Sequence, residues 1–368
     1  MATRPAAVGR TSSRLPSGSS LSSWNTFCQL GTDSSVMMRY HGVQGGNFVL
    51  IENNVALNVE STNNTDTVNC AVFGDIRNAW QVAANNRIVR VAYNDVKHVI
   101  GTTGAEDCNV FYAKWRGGSY IANRIDGFGA AYVASTSTQD GSECAGILAK
   151  NPGTYYATVG GVASAGGVQA EPFVIRGNIL RNGPNGLPWI KADEFGNTVF
   201  VEQNLFENWI NQKAGADQLN GASAGLIRIT THQFGGQVNG NRFRNVWSSD
   251  PAFRVNFWNL SPMPTAPFVA ANFGFSNNEL QNDGTTSYPI PGGDQNGMMM
   301  NFGSSTPNAA FFNAVSTGYN RILDASGADT GFGMNIRHYA TANYTGTMSA
   351  SAAAYGSKDF ISGYGYPG

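Results

Sequence analysis

The sequence predicts an all-β chain, a right-handed single-stranded parallel β-helix of about nine coils, each coil one repeat of a solenoid. Three observations predict it. An asparagine-centred motif recurs at a near-constant period, an apolar column runs in step with it, and the composition is rich in glycine and poor in charge.

The motif is an apolar stretch, an asparagine, any residue, then an apolar residue. It reads FVLIENNVALNV at Asn54, QVAANNRIVRV at Asn86, SYIANRIDGFG at Asn123 and FVIRGNILRNG at Asn178. It continues as VFVEQNLFENW at Asn204, GQVNGNRFRNVW at Asn241, GFSNNELQND at Asn278 and STGYNRILDAS at Asn320. The gaps are 32, 37, 55, 26, 37, 37 and 42 residues, and a value of 37 recurring three times marks a repeat with loops inserted on one side. A β-propeller needs four strands per unit and more even lengths.

Equivalent residues of stacked parallel strands lie about 4.8 Å apart, so each motif position should form a column. Two residues after the asparagine the column reads Ala56, Ile88, Ile125, Leu180, Phe206, Phe243, Leu280 and Ile322, an inward apolar file. The asparagines themselves are expected to form a ladder of amide hydrogen bonds and to take left-handed backbone angles. Four residues further on, Asn182, Asn208, Asn245 and Asn282 predict a second ladder. Three residues after the asparagine, Asp126, Arg181, Glu207 and Arg244 alternate in sign, as outward neighbours at strand spacing should.

A second strand-like run marks each unit. VNCAVFG, EDCNVFYA and SECAGILA place Cys70, Cys108 and Cys144 before an apolar stretch, and TFCQLGT places Cys28 more loosely. PWIKAD, GLIRIT, AFRVNFW, GMMMNFG and GFGMNIRH follow without cysteine. Each coil therefore holds at least two strands, and the cysteines read as small stacked core residues. They form no CxxC pair, and no histidine completes a zinc motif.

The asparagine-turn repeat resembles that of the pectate-lyase-like parallel β-helix superfamily, which includes phage tailspikes, over roughly residues 26–340. The resemblance implies the fold and is silent on function, because such folds carry lyases, hydrolases and non-catalytic virion proteins alike.

Outside the repeat lie two ends. Residues 1–25 carry Arg4, Arg10 and Arg14, many serines and no acid, and are expected to form an extended basic arm on a neighbouring subunit. Residues 341–368 are expected to serve as a cap or interface tail, since solenoid ends expose core and strand edges.

Composition narrows the function. A net charge of −1, with 13% charged residues, gives no broad attraction for nucleic acid or anionic lipid. No stretch of about 18 apolar residues predicts a membrane span, and the N-terminus lacks the apolar centre of a signal peptide. Synthesis in a host cytoplasm without an export signal is the expectation.

Catalytic candidates are few. Glycoside hydrolysis needs two carboxyls about 5–9.5 Å apart, for which Asp193, Glu202 and Glu207, with Glu194, are available in one coil. Glu207 sits between arginines in the alternating column and reads as part of an ion-pair ladder. No acidic cluster suited to calcium is visible, and His41, His98, His232 and His338 lie isolated, so no metal or cofactor is predicted. Trp115, Trp189, Trp209, Trp247 and Trp258 fit a sugar groove or a core equally well.

Two functions remain. The first is a non-enzymatic virion protein, a phage capsid decoration or cement subunit that bridges the major capsid protein through its arm and helix side, as a homo-oligomer with a trimer favoured. The second is a tailspike-like β-helix that binds or depolymerises a cell-surface polysaccharide, as lyase or hydrolase.

Overall fold

The computed structural model describes residues 20–23, 26–28, 31–32, 36–39, 48–61, 69–74, 88–101, 107–114, 117–128, 145–150, 172–183, 189–195, 199–211, 226–231, 236–248, 254–259, 273–290, 299–304, 315–330, 335–339, 350–352 and 360–364. Among them every regular element is a β-strand, and every strand pairing is parallel.

The strands belong to three sheets that the chain visits in rotation. The first runs through Ser20–Ser23, Phe48–Glu52, Ile88–Ala92, Gly117–Ile121, Phe173–Arg176, Val199–Glu202, Gly236–Asn239, Phe273–Ser276, Val315–Gly318 and Ala350–Ala352. The second includes Val55–Ser61, Asp95–Gly101, Arg124–Phe128, Ile179–Arg181, Leu205–Asn211, Arg242–Ser248, Glu279–Gln281 and Arg321–Leu323, preceded by Thr26–Cys28. The third begins at Val36–Arg39 and Asn69–Gly74 and continues through Asp107–Lys114, Ala145–Lys150, Ile190–Phe195 and Ile227–Thr231 to Phe360–Tyr364. Each strand pairs with its counterparts one unit before and after, an arrangement consistent with a β-solenoid. There are three strands per unit, one more than the minimum the sequence required.

Alternation along the strands places the core. In Phe173–Arg176 and Val199–Glu202 the first and third residues are buried and the others face outward. Ile51, Val91, Tyr120, Ile175, Val201, Val238 and Phe275 form the inner file of the first sheet, all buried. The third sheet contributes Phe111, Ile147, Ile190 and Ile227, which are in register from strand to strand. In the second sheet Ala56, Val96, Ile125, Leu180, Phe206, Phe243, Leu280 and Ile322 are all buried, with Phe206 and Phe243 stacked at 5.1 Å between ring centres. Removing such files from water supplies most of the driving force, at roughly 25 cal/mol per Å² of apolar surface.

Val96 stands in that file where the sequence placed Ile88, because the second rung of the asparagine ladder is Asn94 and not Asn86. Asn86 lies outside the described residues, and Ile88 opens a strand of the first sheet. Both asparagines precede an arbitrary residue and an apolar one, so the short motif matches twice. The register before the turn decides the rung: Val91 pairs with Ile51 and Tyr120 and is buried as they are.

A second correction concerns the turn. The left-handed residue is the one before the ladder asparagine: Asn53, Tyr93, Ala122, Gly177, Gln203, Gly240, Asn277 and Tyr319 all have φ between 53° and 67°. That leaves the asparagine itself free to aim its amide inward.

The parallel pairing also extends past the expected limits. Ser20–Ser23 pairs with Val49–Glu52, and the third sheet reaches Phe360–Tyr364 through Asn335–Tyr339. The parallel sheets thus include residues 20–23 and 360–364, inside the spans expected for the arm and the tail. Serine- and alanine-rich strands such as SLSS and ASA carry no apolar alternation by which sequence alone could find them.

Of the cysteines, Cys70 and Cys108 stand opposite one another in the third sheet. Cys28 does not join them: it pairs with Leu57 in the second sheet. Cys144 lies outside the described residues.

Candidate functional site

The turn between the first and second sheets organises the face that carries Glu202 and Glu207. Its buried spine is a ladder through Asn54, Asn94, Asn123, Asn178, Asn204, Asn241, Asn278 and Asn320. At each rung the oxygen of the next asparagine accepts two hydrogen bonds, from the backbone N–H and the side-chain amide of the one before; for Asn178 and Asn204 both are 2.9 Å. The second amide hydrogen goes to a backbone carbonyl of the preceding unit, as from Asn204 to Ile175 at 2.9 Å. Every polar atom of the buried amide is thereby used.

Outside this spine run charged columns. Lys97, Asp126, Arg181, Glu207 and Arg244 are in register on successive strands, so the rung at Asn94 lengthens the sign alternation by one residue. Arg181 Nε lies 2.9 Å from Asp126 and its Nη1 4.0 Å from Glu207. Arg124 bridges Asp126 at 3.5 Å and Asp95 at 4.0 Å. On the other side of the turn Arg176 holds Glu202 through Nε at 3.0 Å and Nη2 at 2.6 Å. Arg90 pairs with Glu52, and Arg321 with Glu279.

The second ladder forms in part. Asn208 donates to Asn182 at 2.9 Å, Asn245 to Asn208 at 3.3 Å, and Asn182 to Asp126 at 2.7 Å. Asn182, Asn208 and Asn245 have left-handed φ near 55°. Asn282 departs from them: it turns inward, is buried, and binds both backbone groups of Val246. The chain leaves the strand there for the 282–290 turn. In that turn hydrogen bonds from the hydroxyl and amide of Thr285 hold the Asp283 carboxyl below the usual carboxylate range.

The carboxylate candidates are not gathered into one cleft. Asp193 belongs to a strand of the third sheet, Glu202 to the first and Glu207 to the second. Glu202 is engaged by Arg176 and Glu207 adjoins Arg181. Among the described residues no group of histidine, cysteine, aspartate or glutamate is arranged to hold a metal. Trp189 and Trp209 are fully buried, Trp189 against Gly146 and Gly183, and so serve the core and its lining. Arg4, Arg10 and Arg14 lie outside the described residues.

A feature the sequence did not reveal is an open groove of about 530 Å³ on this face, with Ile179 and Leu205 as its floor and Arg242 and Arg244 at one end. Its signal was available only as an interruption: apolar residues stand at the outward position after the asparagine in two successive rungs. Comparison of the chain with protein families, curated proteins and solved structures finds no match.

Proposed function

We propose that the chain is a non-enzymatic structural protein of a virus particle, a decoration or cement subunit of a phage capsid. On this reading it is a right-handed β-helix of about nine coils from the pectate-lyase-like superfamily. The residues before Ser20, with Arg4, Arg10 and Arg14, form a basic strap across neighbouring capsid proteins, and the chain assembles as a trimer. The helix flank supplies the rest of the contact, and the buried area added between subunits opposes internal pressure.

The observation that carries the reading is the neutralisation of Glu202 by Arg176 at 2.6 Å, with Glu207 beside Arg181 on another sheet. An acid–base or nucleophile pair needs two carboxyls facing one bond, with one of them kept protonated. A carboxylate clamped by a guanidinium is instead one member of a rail of outward ion pairs.

Cosedimentation of the purified chain with capsids of its phage, with and without residues 1–19, tests the proposal alongside reducing-sugar and unsaturated-product assays on polysaccharides. Arm-dependent binding with no sugar release is the expected result. Cleavage of a polysaccharide, with adsorption indifferent to the arm, would replace this reading by the tailspike-like one.

A further inference from the structure

On the outer surface of the first two sheets nearly every described charge has an opposite partner. Glu52, Arg90, Asp95, Lys97, Arg124, Asp126, Arg176, Glu202, Arg181, Glu207, Glu279 and Arg321 are all in ion pairs. Arg242 and Arg244 are the exceptions: among the described residues neither makes one. The register shows why. Arg242 stands opposite Glu279, which Arg321 of the next strand holds instead, and Arg244 has Gln281 where the alternation calls for an acid.

Both arginines are exposed on one side of the strand Arg242–Ser248, their Cα atoms about 7 Å apart as those of alternate strand residues are. They border the groove whose floor is Ile179, 37% exposed, and Leu205. Its rim is kept low by Gly177 and Gly240 at the left-handed corner. Glycine is not required there by the backbone, because Asn53, Tyr93, Asn277 and Tyr319 occupy the same corner in other rungs with the same φ. A Cβ on Gly177 would meet nothing within 4 Å, so the absence of a side chain opens space without relieving a clash.

From these observations we propose that the groove is the docking site for an acidic segment of a protein partner. An aliphatic side chain of that segment sits on Ile179 and Leu205, and two carboxylates pair with Arg242 and Arg244. The aliphatic floor favours a peptide over a sugar chain, because sugar faces stack on aromatic rings and the groove lining contains none. Planar guanidiniums fit carboxylates with two parallel hydrogen bonds each, which gives the site geometric selectivity. The inference rests on the capsid-subunit reading and assigns to it the part of the helix flank that touches the partner.

The test measures binding of the full chain to a fluorescein-labelled peptide of sequence Asp-Leu-Asp-Leu-Glu, against the counterpart Asn-Leu-Asn-Leu-Gln, and in a third arm to polygalacturonate. Preference for the acidic peptide, lost at least about tenfold in Arg242→Gln/Arg244→Gln and retained in Arg90→Gln, whose partner Glu52 is away from the groove, is expected, together with weakening in salt. Equal binding by wild type and the double variant would overturn the proposal, as would no binding of the acidic peptide up to ~1 mM. Preference for polygalacturonate would give the groove to a glycan. Because the assay uses no capsids, its failure is separable from that of the capsid reading, which the cosedimentation experiment decides.

Discussion

Asn178 and Asn204, 26 residues apart in sequence, are joined by two hydrogen bonds to a single oxygen: the backbone N–H and the side-chain amide of Asn178 both donate to Oδ1 of Asn204 at 2.9 Å. Both residues are buried, and Asn204 repeats the arrangement with Asn241 at 3.0 Å. The ladder thus binds each unit to the next through side chain and backbone together.

Replacing Asn204 by alanine should remove more than one rung. It strands two donors of Asn178, the carbonyl of Ile175 and part of the acceptor capacity of Asn241 in a buried site. Unsatisfied buried groups cost roughly 1–3 kcal/mol each, so a loss of at least about 3 kcal/mol is expected in denaturant unfolding. A loss under 1 kcal/mol would mean that the ladder accompanies the fold without supporting it.

Tyr120 predicts the opposite. Its ring is fully buried, 6.2 Å from Phe111 and from Phe173, and its hydroxyl has no hydrogen-bond partner among the described residues. Burial pushes its ionisation well above the ordinary phenol range. Tyr120→Phe should therefore leave Tm unchanged or raise stability by up to about 1 kcal/mol, and a clear loss would reveal a partner for the hydroxyl.

Two glycines separate conformation from space. A Cβ on Gly183 would lie 2.6 Å from the Trp189 ring, so Gly183→Ala should cost about 1–3 kcal/mol by thermal unfolding. Gly177 has φ +67° and an open surrounding, and asparagine already occupies its corner at Asn53 and Asn277. Gly177→Asn should be close to neutral.

Glu202→Gln separates the two functions. The pair with Arg176 is half exposed on the arginine side, so its removal should change stability by less than about 1 kcal/mol. Capsid adsorption is expected to persist in Glu202→Gln and Glu207→Gln. A polysaccharide-cleaving activity abolished by either would restore them as catalytic groups.

In the 282–290 turn, Thr285 lowers the Asp283 pKa through its hydroxyl and amide. A depressed folded-state value means that this contribution to stability is present above the unfolded pKa and fades as pH falls through the folded one. Thr285→Val should move the carboxyl titration, followed by NMR, upward toward the ordinary range.

The sequence by itself determined the repeat, the inward apolar file and the sign of each charge, because these depend on local alternation and on a fixed interval. Seven of the ladder asparagines, from Asn54 and Asn123 to Asn320, were legible in this way. Asn86 was not separable from Asn94, since a three-residue motif fits both and only the pairing of Val91 with Ile51 and Tyr120 distinguishes them. The inward turn of Asn282 was equally hidden, being set by where the chain leaves its strand. Tertiary structure alone decided which charges meet. Arg321 takes Glu279 and leaves Arg242 unpaired, while Glu202, Glu207 and Asp193, close in sequence, fall on three sheets. The physical reason is that stacked parallel sheets make neighbours of residues one whole repeat apart, so proximity depends on loop lengths and register that no single motif contains.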